Sequence, residues 1–301
     1  LLLSLTKYVH CVHGDLGLRC LFDRCWYLLR PGGTLVVHER FDAGAFLDAV
    51  ERASRAAPMR RPVLVIGERG TGKELIAERL HRLSTRWDEP LVVMNCVALP
   101  ETLIEAELFG HEAGAFTGAT KARVGRFEEA DKGTLFLDEL GTLSMGAQER
   151  LLRAVEYGEI IRIGSSRPVR VDVRIVAATN EDLAVAVREG RFRQDLFFRL
   201  NVFPIHLPPL RERRDDIPLL MNHFLKFYGQ RHGIAVRGFT QRAVQALLNY
   251  SFPGNIRELQ NLIERGVILA QGHPLDLPHM FISGETLNDE VLSLALQGEG
   301  E

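Results

Sequence analysis

Apolar positions first recur at helical spacing at Phe46, Val50, Ala53 and Ala57, and Pro58 closes that stretch. Short apolar runs then follow at Val63–Ile66, Leu91–Met94, Thr134–Leu137, Val173–Ala177 and Val202–Leu207, each flanked by a stretch of helical period. Strands that alternate with helices predict a parallel sheet covered by helices on both faces. The strand pattern stops near Pro208-Pro209, and residues 215–232, 240–250 and 255–270 read as three helices. Phe239-Thr240 and Pro253-Gly254-Asn255 supply start signals for the last two. The expected class is therefore α/β, with a small all-helical domain behind the sheet domain. Residues 271–301 hold Gly272, Pro274, Pro278, Gly284 and Gly298 and read as linker and loose tail. Residues 1–41 read as an unassigned appendage, in which Leu28–Val37 faintly resembles one late strand of a methyltransferase-like sheet.

Composition adds exclusions. The 301 residues are 46% hydrophobic and 25% charged, a globular mix that rules out a collagen, a coiled coil and a disordered tail. Lys and Arg number 37 against 39 Asp and Glu, a formal charge of −2, so no global basic field points to nucleic acid. No pair among Cys11, Cys20, Cys25 and Cys96 has CxxC spacing, and a reduced cytoplasmic setting is the default reading. No uncharged apolar run approaches the ~18–20 residues of a membrane span, so no membrane partner is expected. Only five of the 37 cations are lysine, so a lysine inside a motif carries more weight here.

Such a lysine occurs in Gly67-Glu68-Arg69-Gly70-Thr71-Gly72-Lys73-Glu74, which follows the first clear strand and opens a helix. Glycines let successive backbone N–H groups turn towards a phosphate, and the helix N-terminus adds partial positive charge. Lys73 would reach the β- and γ-phosphates. Glu74 departs from the Ser or Thr that usually helps hold Mg²⁺ at this position, and its carboxylate must turn away from the phosphates or act through the metal. Gly133–Glu139 is an apolar strand that ends in two carboxylates. Asp138 is placed to hold Mg²⁺ through water, and Glu139 to orient and deprotonate an attacking water. Two further strands end in Asn95 and Asn180, each able to bond a γ-phosphate and a carboxylate or simply to start a turn. Arg193 and Arg199 are spaced to put two guanidiniums on a rim facing a neighbour's nucleotide, although surface charge in an arginine-rich chain reads equally well.

Phe109-Gly110-His111-Glu112 followed by Gly114-Ala115-Phe116-Thr117-Gly118-Ala119 resembles the hallmark loop of the sigma-54-dependent transcription activators, bacterial enhancer-binding proteins of the AAA+ class. The resemblance also takes in Gly67–Glu74, whose trailing Glu is that family's own variant, Gly133–Glu139, Leu207–Arg213 and Pro253–Leu259. Within the family the chain is most similar to the phage shock type, from Gly67–Gly70 and Arg86-Trp87. It implies a P-loop AAA+ core over 42–210, a helical lid over 211–270, and an ATP- and Mg²⁺-dependent ring, usually hexameric. That ring would remodel the sigma-54 RNA polymerase holoenzyme to open promoters. Carried over by motif, Asn95 matches a switch that senses the γ-phosphate through Glu139, Asn180 a first sensor and Arg257 a second sensor from the lid. Arg193 and Arg199 match arginine fingers given to the adjacent subunit. Residues 114–119 match the loop that grips sigma-54, and Glu159–Val171 the hairpin that moves with it. No helix-turn-helix is read after residue 270, so no DNA-binding domain is expected in this chain. The competing readings are another AAA+ machine, such as a helicase loader or chelatase motor, and a nucleotide-gated binding module without turnover.

Overall fold

The structure is a computed structural model, and it describes residues 44–97, 100–276 and 280. The appendage expected over 1–41 lies outside the described residues. By its contacts the described chain forms two compact units, one of Leu47–Glu68 with Gly72–Leu207, the other of Phe46 and Arg69–Thr71 with Pro208 onward.

The first unit is built on five parallel strands: β1 (Val63–Ile66), β2 (Leu91–Asn95), β3 (Thr134–Asp138), β6 (Arg174–Thr179) and β7 (Pro204–His206). Their spatial order is β2-β3-β6-β1-β7. β3 and β6 are buried along nearly their whole length, which is why they read as continuous apolar runs rather than as alternating ones. Helix α1 (Gly44–Ala56) precedes β1, and α2 (Lys73–Arg82), α3 (Glu101–Phe109), α4 (Arg126–Glu129), α5 (Met145–Tyr157), α6 (Leu183–Arg188) and α7 (Gln194–Leu200) fall between the strands. Local chemistry fixes several of their ends. Ser144 accepts from the Ala147 N–H at the start of α5, and Asp182 from Ala184 and Val185 at the start of α6. Gly158 takes the left-handed conformation that ends α5. A core of Leu64, Leu108, Phe109, Phe127, Leu135, Leu137, Leu151, Leu196 and Leu200, among others, joins helices to sheet.

One buried cation stitches this unit. Arg174 at the start of β6 is 3% exposed and donates to Ala56 O, Ala57 O and Leu80 O, at the ends of α1 and α2. Burial, with Arg86 nearby, lowers its pKa to about 10, still charged at neutral pH. A separate antiparallel hairpin, β4 (Glu159–Ile161) and β5 (Pro168–Arg170), occupies the segment expected as the moving hairpin.

The second unit carries α8 (Ile217–His232), α9 (Gln241–Asn249) and α10 (Asn255–Ala270), the three helices expected from the pattern. Thr240 accepts from the Ala243 N–H as the cap of α9. Their shared core includes Leu220, Phe224, Tyr228, Leu247, Phe252, Leu259 and Ile263. Leu275 and Met280 belong to the same core, each 0% exposed, and Leu275 bridges Phe239. The stretch read as loose tail from 271 therefore packs as part of the helical unit at least at these two positions. Its glycines and prolines hid two apolar residues too few to show a period.

Candidate functional site

A parallel sheet brings the C-terminal ends of its strands to one edge, and the predicted chemistry sits there. The glycine loop leaves β1, the two acids end β3, Asn180 follows β6 between them, and Asn95 ends β2 beside β3. Asn95 is the register partner of Asp138. Gly67 N–H donates to Thr179 O, which ties the loop to the residue before Asn180.

Lys73 opens α2 and is 6% exposed. Its Nζ donates to Gly67 O at 3.0 Å and Glu68 O at 3.3 Å and lies 3.8 Å from Glu139 Oε1. The ammonium is thus held inside the loop, pointing at the carboxylate expected to act as base. Gly72 precedes it at φ 98°, a conformation that glycine adopts without strain. Glu74 is exposed, so its carboxylate turns away from the loop interior, as its place next to phosphates requires.

Residues 69–71 belong to the second unit, and that unit holds them firmly. Asn255 Nδ2 donates to Arg69 O at 3.0 Å, Ile256 N–H to Gly70 O at 3.0 Å, and Arg213 Nη2 to Thr71 O at 2.9 Å. A Cβ on Gly70 would stand 2.3 Å from Gly254 O and 3.1 Å from the Cβ of Arg257. Arg257 itself is exposed on the first turn of α10, next to Gly70.

Asp138 is half-buried and Glu139 is 7% exposed. Glu139 sits at φ 55°, ψ 47°, a left-handed conformation rare for a residue with a side chain and concentrated at functional positions. Two local bonds hold it: Glu139 N–H donates to Asp138 Oδ1 at 3.0 Å, and Thr142 Oγ1 donates to Glu139 O at 2.8 Å. Asn95 is exposed, and its Oδ1 accepts from the Val97 N–H at 2.9 Å, an Asx turn. Asn180 is exposed at its strand end. Cys96 lies just behind the acids with its thiol pushed up to about 12, by burial first and then by Asp138 and Glu139, which makes it inert.

Arg193 caps the start of α7 and Arg199 lies in its last turn. Arg193 makes a forked pair with Asp195, Nε to Oδ1 at 3.0 Å and Nη2 to Oδ2 at 2.7 Å, which holds the Asp195 carboxyl below its usual range. Arg199 pairs with Glu156 from α5, Nε to Oε1 at 2.8 Å. Arg193 lines a cleft of about 530 Å³ with Glu149, Arg153, Glu156 and Tyr157. Phe198 between the two arginines is 63% exposed and Tyr157 is 71% exposed.

The 114–119 loop closes on itself, Gly114 N–H donating to Ala119 O at 2.7 Å, with Gly114 at φ 79° and Gly118 at φ 100°. Phe116 is 37% exposed, its ring edge-on to His111 at 5.0 Å between centroids. Ala115 is half-buried, Thr117 is exposed, and Ala119 is buried at 6%. Of the six residues expected to touch a partner, Ala119 instead faces its own chain. The loop rests on the β4–β5 hairpin: Glu112 N–H donates to Ile163 O, and a Cβ on Gly164 would stand 2.8 Å from the Cβ of Ala115. Arg162 joins them, donating to Glu112 at 3.3 Å and to Glu128 at 2.6 Å.

The residues present fit a triphosphate with its metal. They offer a glycine cradle, a buried ammonium and two adjacent carboxylates. Beside the loop, Arg213 lies buried over the Phe46 ring at 4.5 Å, and its Nε and Nη1 have no hydrogen-bond acceptor among the described residues. Sequence reasoning assigned Arg213 no role, although it lies within the Leu207–Arg213 motif. It also missed Thr142 and the buried Gln148, whose glutamine gives no signal on a helix.

Fold and site together define a P-loop nucleotide-binding protein of the AAA+ class. Residues 41–206 match the family described as Sigma-54 interaction domain, and residues 211–289 the AAA+ ATPase lid domain. The chain belongs to the sigma-54-dependent transcription activators, which decides against a helicase loader or a chelatase motor. It is 55% identical over 238 residues to the Psp operon transcriptional activator of Escherichia coli, covering 78% of this chain and 73% of that protein. It is 53% identical over 240 residues to the transcriptional regulatory protein ZraR of Salmonella typhimurium, covering 80% of this chain and 52% of that one. Among solved structures, NtrX from Brucella abortus in complex with ADP matches at a TM-score of 0.75 and 31% identity, over 92% of this chain and 62% of that one. Residues 1–49 match a different family, described as Bicoid-interacting protein 3. Among the described residues no helix is long and apolar enough to cross a membrane.

Proposed function

We propose that the chain hydrolyses ATP in a self-assembled ring, usually a hexamer in this family, and uses each cycle to move a loop against sigma-54. The observation that carries this reading is the approach of Lys73 Nζ to Glu139 Oε1 at 3.8 Å, which brings phosphate binding and base to one strand edge. When bound, Mg²⁺ neutralises phosphate charge and supports the leaving group. The chain's own groups do the rest. Residues 67–73 wrap the phosphates with backbone N–H groups, and Lys73 balances charge on the transferred group. Asp138 holds the metal side. Glu139 aligns the attacking water and takes its proton, its side chain aimed by the left-handed backbone that Thr142 fixes. Asn95 and Asn180 sense the γ-phosphate from either side of the acids, and Arg257 does so from the lid.

Arg193 and Arg199 complete the neighbour's site. Their pairs with Asp195 and Glu156 lie at the surface, where water and salt screen them, so a neighbour's triphosphate outcompetes them. The 114–119 loop presents Phe116 to sigma-54, and its seat on the β4–β5 hairpin gives nucleotide state a route to it. The NtrX structures with ADP and with ATP support nucleotide binding in this fold.

Phosphate release, measured across protein concentration, tests the reading. Turnover per chain should rise with concentration as subunits meet. Glu139→Ala should keep ATP binding and lose about 10²–10⁴-fold in turnover. Turnover independent of concentration, or a near-normal Glu139→Ala, would contradict it.

A further inference from the structure

Gln148 is a polar side chain with no place in the mechanism above, yet it is 0% exposed on the first turns of α5. All of its hydrogen-bonding atoms lie against backbone. Nε2 donates to Leu143 O at 2.7 Å and to Arg191 O at 3.0 Å, and Oε1 accepts from the Arg193 N–H at 2.8 Å. Two carbonyls and one N–H leave no choice about which end is nitrogen. The two segments so joined are not arbitrary. Leu143 lies four residues past Glu139, in the loop that leaves the catalytic strand. Arg191 and Arg193 form the segment that carries the first finger into α7.

We infer that Gln148 is a positioning residue for Arg193: it fixes the finger's backbone to the loop behind the subunit's own acids, so that the site a subunit completes for its neighbour is registered to the site it keeps. This rests on the reading that Arg193 acts on a neighbouring subunit. The chemistry is that of a rigid splint. Arg193 spends its side chain on a partner, so only its main chain can set where the guanidinium starts, and Gln148 is the side chain that holds its N–H, beside the bond of Phe197 N–H to Arg193 O and those of Arg191 and Phe192 N–H to Ala186 O. The forked pair with Asp195 is on the surface and yields to a stronger anion, while the three bonds of Gln148 converge on a side chain that is itself fully buried.

The test uses the full chain with Gln148→Met, which keeps volume and burial but removes all three bonds. Hydrogen exchange of peptides spanning 189–195, without nucleotide, reads the splint directly. Exchange there should speed at least about 10-fold while β3 and β6 stay protected, and unchanged exchange would overturn the inference. Turnover should fall about 10–100-fold, as expected for a misplaced catalytic group, with KM for ATP within about threefold. Mixing then separates the two ends of the splint. Gln148→Met with Lys73→Ala should regain hydrolysis, because the Lys73→Ala chain supplies a sound finger to an intact nucleotide site. Gln148→Met with Arg193→Ala should stay inactive, since neither chain supplies one. The reverse pattern would place the role in the subunit's own site and overturn the inference. Arg193→Ala with Lys73→Ala is the control. Its failure in proven co-assemblies refutes trans action, whereas the exchange result still decides whether Gln148 holds the Arg193 segment.

Discussion

Asn255 carries more of the helical unit than its place at a helix start requires, and Asn255→Ala measures how much. The side chain is 0% exposed and the backbone sits at φ 55°. Its Oδ1 accepts from the Leu210 N–H at 2.8 Å and its Nδ2 donates to Arg69 O at 3.0 Å. Removing the amide leaves the buried Leu210 N–H unpaired, at about 1–3 kcal/mol. Arg69 is exposed, so water can reach its carbonyl and that loss is about 0.5 kcal/mol. Alanine in a left-handed conformation costs about 1 kcal/mol more than asparagine. The expected total is about 3 kcal/mol, read as a lower urea midpoint followed by circular dichroism. Asn255→Gly loses the same bonds but not the backbone strain and should recover about 1 kcal/mol. Because Arg69–Thr71 lose an anchor, binding of a fluorescent ATP analogue should also weaken. An alanine variant within 0.5 kcal/mol of wild type, or a glycine variant no better than alanine, would refute the reasoning.

Gly70→Ala and Gly72→Ala should separate crowding from strain in the phosphate loop. A Cβ at 70 meets Gly254 O at 2.3 Å, while one at 72 meets only Leu75 Cδ1 at 3.7 Å, so Gly70→Ala should lose markedly more affinity for the ATP analogue. Equal losses would contradict the geometry. Gly164→Ala should push the hairpin against Ala115 and weaken sigma-54 capture while ATP hydrolysis in its absence stays near wild type; capture at wild-type level would show that the hairpin does not seat the loop. Burial foremost, then Arg174 and Arg82, hold the buried His81 imidazole below its usual pKa, so the unfolded chain takes up the proton first as pH falls. Stability attributable to this group is full above pH ~6.5 and is lost below it, by at most about 1.4 kcal/mol per pH unit. His81→Asn should therefore lose less melting temperature than wild type between pH 7 and pH 5.5, and an equal loss would exclude His81 as the source.

Much of the site's placement was legible because strand ends are readable. Apolar runs closed by Asn95, Asp138-Glu139 and Asn180 needed only the parallel rule to gather at one edge. Lys73 was legible for the same reason, its strand and helix flanking a loop that nothing else explains. What stayed hidden depends on contacts distant in sequence. Gln148 looks like any polar helical residue until the 191–193 segment folds over it. Leu275 and Met280 sit among prolines and glycines, and only the helices before them make them core. Ala119 and Phe116 share one motif, but only the turn geometry turns one inward and the other out. Asn95 was placed correctly at its strand end, yet the Asx turn that its carboxamide makes depends on the backbone path after β2.

The central claim is that a nucleotide motor at the strand edge drives a separate grip at residues 114–119. Phe116→Ala tests it in one measurement: capture of purified sigma-54 by the chain trapped with ADP and aluminium fluoride, with ATP hydrolysis and melting followed on the same sample. Phe116 is 37% exposed, so its loss should cost well under the ~3–5 kcal/mol of a core phenylalanine. The account predicts wild-type melting and near-wild-type hydrolysis with sigma-54 capture abolished. A variant that still captures sigma-54, or one that loses hydrolysis and capture together while remaining folded, would contradict it.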